Sequence, residues 1–105
     1  MKLVKVLANN IDDANELFIY IINDRFFYKN RIIPAINNLA KKMAKGVYDK
    51  DKAVKLWLYL VQDGAKQYKK EYGANFSTSI KKLTAQFIAD HYSSDIEKEA
   101  EKIKK

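Results

Sequence analysis

Apolar positions recur with a helical period in several stretches of the chain. Within 25–45, Ile32, Ile36, Leu39, Ala40 and Met43 fall on one face at about 100° per residue. Arg31, Pro34, Asn38, Lys41, Lys42 and Lys45 fall on the opposite face. The clearest pattern covers about 50–72, where Ala53, Val54, Trp57, Leu58, Leu60, Val61, Ala65, Tyr68 and Tyr72 make a broad apolar face. Lys52, Lys55, Tyr59, Gln62, Lys66, Lys69 and Lys70 make its wet face. Further on, Ile80, Leu83, Thr84, Phe87, Ile88 and His91 share one face. The run 17–22 is apolar all round and would suit a buried strand. Ala14 and Glu16 beside it, with Asn10, Asp12 and Asp13 before it, predict a short buried helix over 11–22 instead.

The residues between these stretches act as starts and stops. Asn23-Asp24 is a break with a new cap, and Gly46 is a helix stop. Pro34 is compatible either with a kink or with the first turn of a new helix. Asp49 or Asp51 starts the long helix and Gly73 ends it. Ser77-Thr78-Ser79 is another start, and Ser94-Asp95-Ile96-Glu97 has capping-box spacing that predicts a last helix over 95–104. Its apolar stripe, Ile96, Ala100 and Ile103, is thin. Gly64 lies inside an apolar face, where glycine costs about 1 kcal/mol relative to alanine. The simplest reason is close approach of a neighbouring backbone. The expected architecture is all-α: a compact single-domain bundle of four or five helices over 1–105, with a central helix at about 50–72 and frayed ends at 1–10 and 93–105.

Charge and composition narrow the functions. Twenty basic against 13 acidic residues give a formal charge of +7 on 105 residues. Eighteen of the 20 are Lys, and only Arg25 and Arg31 are Arg. An A- and T-rich genome also produces abundant Lys, Asn and Ile, so the excess has a compositional explanation as well as a functional one. There is no Cys and one His, which leaves no disulfide, thiolate metal site or His-rich metal site. The run 17–22 is far below the roughly 20 residues of a membrane span. The segment 1–8 is broken by Lys5 and lacks a small-x-small cleavage site, so it is too weak for a secretory signal. A soluble, cytoplasmic protein without membrane contact is expected.

Catalytic constellations are missing from the sequence. His91 follows Phe87 and Ile88 on an apolar face and reads as a packed residue. Asp49-Lys50-Asp51 begins like a calcium loop, but Val54 stands where Gly is needed and Leu60 where the bidentate carboxylate is needed. Glu97, Glu99 and Glu101 read as helix surface, and no Gly-rich phosphate loop exists. The expectation is a non-enzymatic protein with no metal and no cofactor.

Two binding features remain. Arg31, Lys41, Lys42, Lys45, Lys55, Lys66, Lys69 and Lys70, with Tyr59 among them, form a candidate nucleic-acid surface, and Lys81 and Lys82 begin another basic stretch. Lysines neutralise phosphates with salt-sensitive affinity, and a tyrosine stacks on unpaired bases. Scarce Arg argues against reading of base edges. The plain alternative is a solvated helix face. Phe26, Phe27 and Tyr28 are consecutive and cannot all face one core stripe, so they are a candidate protein-binding patch. A homo-oligomer is compatible with both.

The pattern Asn23-Asp24, Tyr28, Pro34, Asn38-Leu39, Ala44-Lys45-Gly46-Val47-Tyr48-Asp49 and Lys52-Ala53-Val54-Lys55-Leu56-Trp57 continues with Leu60-Val61, Gly64-Ala65-Lys66 and Tyr68. With the segment 76–90, it resembles a family of small uncharacterised proteins encoded by bacteriophages and prophages. The resemblance covers most of 11–92 and implies a phage origin, an infected bacterial host cell and a compact helical unit. It carries no known activity, so no site residue transfers. The expected function is a small basic accessory protein making weak, salt-sensitive contact with DNA or RNA. The alternative is an interaction protein that binds a host defence or transcription component.

Overall fold

Helix starts and stops divide the chain into four helices in a computed structural model that describes the backbone of residues 2–104 and the side chains of 10–104. The first helix is Lys2–Ile22. The second begins as one α-turn, Arg25–Phe27, passes through a π-helical stretch, Tyr28–Ile32, and continues as Ile33–Ala44. The third is Lys50–Tyr72 and the fourth Thr78–Lys104. No strand occurs among the described residues, and the fold is an all-α bundle. No helix among them is long and apolar enough to cross a membrane. The side chains of 1–9 lie outside the description, and so does the sequence argument about a leader over 1–8.

The third helix is built as its pattern predicts except in its last turn, where Tyr72, expected on the apolar face, is exposed and only rests against the rings of Tyr68 and Tyr20. The Asp49 carboxylate accepts from the backbone N–H of Asp51 at 2.9 Å and of Lys52 at 3.4 Å, satisfying donors the helix leaves unpaired. Gly73 closes the helix at φ +72°, a conformation that disfavours any residue with a Cβ. Ala53, Trp57, Leu60, Val61, Ala65 and Tyr68 are buried. Gly64 makes room as expected, although its neighbour is the Ile21 side chain of the first helix and not a backbone. A Cβ on Gly64 would lie 2.6 Å from Ile21 Cγ1, in a place where Ile21 is fully buried.

Proline sets the local geometry of the second helix. The ring of Pro34 has no N–H and crowds the carbonyl four residues back. The helix widens just before it, with the Ile33 N–H bonding to the Tyr28 carbonyl five residues earlier. The helix therefore neither breaks nor restarts. Its buried residues are Phe27, Ile32, Ile36, Leu39 and Ala40. At its end, Val47 N–H donates to the Lys42 carbonyl at 2.9 Å and Gly46 N–H to the Met43 carbonyl at 3.1 Å, with Gly46 at φ +77°. This paired closure reverses the chain toward the third helix.

The first and fourth helices differ from expectation. The first begins at Lys2, and Asn10, Asp12 and Asp13 lie inside it instead of starting it. Asp12 and Asp13 are exposed, where short polar side chains are tolerated mid-helix. The run 17–22 is covered on most sides: Leu17 and Ile21 are fully buried and Phe18, Tyr20 and Ile22 pack partly against the core, whereas Ile19 is 51% exposed. The fourth helix passes through Ser94 without a break, so no separate last helix forms. Burial runs in phase through Ile88, Tyr92, Ile96 and Ala100, and core contact outweighs the local cap signal. The Ser93 hydroxyl donates back to the Asp90 carbonyl at 3.0 Å. Thr84, fully buried, donates likewise to the Ile80 carbonyl at 2.7 Å. The fourth helix packs against each of the other three and shares one core with them.

Candidate nucleic-acid interface

Burial of one face of the third helix forces the opposite face into solvent. Lys55, Tyr59, Gln62, Lys66, Lys69 and Lys70 are all exposed there. Their spacing of three or four residues lines them along one side of the rod. The reversal at Gly46 then carries the end of the second helix alongside. Together they bound a cleft of about 430 Å³. Asn38, Leu39, Lys42 and Val47 line one wall, and Lys52, Lys55, Leu56 and Tyr59 the other. Asp49 and Ala53 complete it. A second groove of about 370 Å³ lies on the other flank of the third helix, where Lys50 and Lys55 meet Lys82 of the fourth. Lys55 borders both.

The sequence-derived basic set is thus divided. Lys42, Lys55 and Tyr59 come together at the cleft. Lys66, Lys69 and Lys70 extend the charged side of the third helix, and Lys41 and Lys45 are exposed at the end of the second without lining the cleft. Arg31 has a different task. Its Nη1 donates to Asp63 Oδ2 at 2.6 Å and clamps the second helix to the third. Lys50, Lys52 and Lys82 belong beside Lys55 but were outside the set. Lys52 was detectable from its i,i+3 spacing to Lys55, whereas Lys82 required the packing of the fourth helix on the third. Among the described residues the ion pairs are Arg31–Asp63 and Lys102–Glu99, so no cleft lysine takes part in one.

The aromatic patch needs correction. Phe27 is a core residue, because the Asp24 carboxylate accepts from its N–H at 3.0 Å and caps the turn that points its ring inward. Phe26 and Tyr28 stay outside, 64% and 44% exposed. Tyr28 borders a groove between the second helix and the end of the fourth, with Ile33, Ile36 and Tyr92. His91 is also corrected. It is exposed, because the buried stripe runs through Tyr92, and it meets the Phe18 ring edge-on with centroids 5.3 Å apart.

Polar contacts on the packed side have a structural character. Tyr68 donates to Glu16 Oε1 at 2.8 Å, and that bond, with burial, raises the phenol from 10.0 to about 12. Burial raises Tyr92 to about 12 as well, with the Tyr28 hydroxyl and the Asp95 carboxylate adding to it. Gln67 donates to Asp24 at 3.1 Å. Among the described residues, no group of three or more His, Asp or Glu is arranged to hold a metal ion. Comparisons with protein-family models, curated proteins and solved structures find no match to this chain.

Proposed function

We propose that this is a non-enzymatic, small basic accessory protein of phage type that acts in the cytoplasm of an infected bacterial host. It contacts DNA or RNA weakly through Lys-rich helix faces. The observation that carries this reading is the meeting of Lys42 with Lys52, Lys55 and Tyr59 around one cleft. Two parts of the chain, the end of the second helix and the first turns of the third, converge there, and three lysines outnumber the one carboxylate, Asp49. Lysines without carboxylate partners keep their charge available for phosphates, and each phosphate neutralised releases counterion. The scarcity of Arg fits contact with the backbone and not with base edges. A fluorescence-anisotropy titration across a salt series tests it. Affinity should fall steeply as salt rises, and absence of binding at low salt overturns the reading.

A second reading is favoured by the exposure of Phe26 and Tyr28. On that reading the protein binds and modulates a host protein through these rings. Phe26→Ser and Tyr28→Ser should then abolish recovery of one specific host partner while leaving the fold intact. Unchanged recovery sinks it.

A further inference from the structure

The exposed tyrosine at the cleft decides between two forms of nucleic acid. We infer that this interface takes single-stranded nucleic acid, with Tyr59 as a stacking platform for an unpaired base. The inference rests on the reading of the cleft as a nucleic-acid interface.

Three features carry it. First, Tyr59 is 66% exposed and takes part in none of the ring–ring contacts of the described residues. Tyr20, Tyr68 and Tyr72 pack on one another, and Tyr92 stacks on Trp57. Tyr59 instead offers its ring to solvent in the middle of a lysine-bearing face, where burial of the ring in this chain gives no reason for it. Second, the space beside it is concave and partly apolar. Val47, which is exposed, and Leu56 line it, and the Asn38 side-chain amide supplies both a donor and an acceptor. Its volume of about 430 Å³ lies in the usual range of small-molecule sites, roughly 300–1,000 Å³. Third, Lys42, Lys52 and Lys55 line the same cleft against one carboxylate, Asp49, and Lys50, Lys55 and Lys82 line the groove on the other flank of the helix against one, Asp51, so both are net positive. Phosphates on either side of a stacked base would meet positive charge.

A duplex satisfies the third feature alone. Its base faces are stacked inside, so the Tyr59 ring and the Val47 and Leu56 side chains would have nothing to pack against. Unpaired bases present those faces, and stacking on an aromatic side chain tolerates any base sequence. That tolerance fits a surface poor in Arg.

The test uses the full chain and labelled strands of about twelve nucleotides, a length within the range of known single-strand sites. Single-stranded DNA, single-stranded RNA and the DNA duplex are titrated by anisotropy at low and at physiological salt. At least one single strand should bind more tightly than the duplex, and the DNA and RNA arms show which one is preferred. Tyr59→Ala should weaken single-strand binding about fivefold or more, leave the salt dependence unchanged and leave duplex binding unchanged. Tyr59→Phe should restore it, because the ring and not the hydroxyl does the stacking. Circular dichroism of Tyr59→Ala confirms that the exposed substitution leaves the helices intact. Equal binding of strand and duplex, with Tyr59→Ala neutral, overturns the single-strand assignment and leaves the basic-face reading standing. Failure of the wild-type chain to bind any of the three at low salt overturns both.

Discussion

The two sides of the third helix follow opposite rules. On one side Trp57, Val61 and Gly64 are closed off from water, and Gly64 leaves only enough room for Ile21. On the other, Lys55, Tyr59 and Lys66 meet solvent, and no carboxylate holds any of them in an ion pair among the described residues. The first side depends on shape and tolerates little change in volume. The second carries charge and an exposed ring, and tolerates change in shape. Substitutions on the packed side should therefore move stability, and those on the wet side should move binding and little else.

The largest effect should come from Trp57→Ala. Emptying a fully buried indole site costs about 3–5 kcal/mol, a large part of the roughly 5–15 kcal/mol that holds a domain together. Urea unfolding followed by circular dichroism measures it. Trp57→Phe should cost much less, since it also removes a buried indole N–H that has no hydrogen-bond partner. If alanine and phenylalanine variants were equally destabilised, the packed side would not depend on volume as argued.

Gly64→Ala comes next. A methyl group there meets Ile21 Cγ1 at 2.6 Å and Cδ1 at 2.7 Å. Overpacking of this kind costs about 1–3 kcal/mol, against about 1 kcal/mol that alanine returns in helix propensity. In an Ile21→Ala background both clashing atoms are gone, and Gly64→Ala should then stabilise the protein relative to that background. A double-mutant cycle reads the reversal of sign.

A smaller effect concerns alkaline pH. The folded state holds the Tyr68 phenol at about 12, above its ordinary value of 10.0, because the neutral hydroxyl donates to Glu16. The stabilisation is complete below pH 10 and declines as pH rises from 10 through 12, since the unfolded phenol gives up its proton first. Stability measured across that window should fall, and Tyr68→Phe should flatten part of the slope. Tyr92, raised to about 12 chiefly by burial, supplies another part that Tyr68→Phe leaves in place.

The smallest change in stability is expected at the cleft. Lys42→Ala with Lys55→Ala should leave unfolding within about 0.5 kcal/mol of wild type. The same pair should reduce the slope of log K against log salt by about 1.4 for a single strand, the contribution of two phosphates. A loss of stability comparable to that of Gly64→Ala would break the division between the two sides.

Much of the architecture was legible in the chain itself. Asp49, Gly46 and Gly73 act through their own backbones and near neighbours, and the structure places them as the start and stops that were expected. The period of the third helix likewise assigned its buried and wet sides, apart from Tyr72, where the helix runs past the core. Local rules misled at Ser94 and at Asn10, where residues suited to a cap sit inside longer helices. At Ser94, burial of Ile96 and Ala100 outweighs a cap worth about 1 kcal/mol. The candidate site was legible only in part. Lys55 and Tyr59 share one helix face and could be grouped by spacing. The position of Lys42 opposite them, the diversion of Arg31 to Asp63 and the withdrawal of Phe27 into the core depend on contacts between distant residues.

By itself, then, the sequence determined three things: an all-α chain, the bounds of its third helix and a surplus of lysine on wet faces. Each follows from hydrogen bonding or periodicity within about two helical turns. Tertiary structure decided which charges stand together and which aromatic rings remain exposed. Those outcomes are set by how one helix packs on another, and neighbours in space such as Lys42 and Tyr59 are brought together by the turn at Gly46 and the core beneath them.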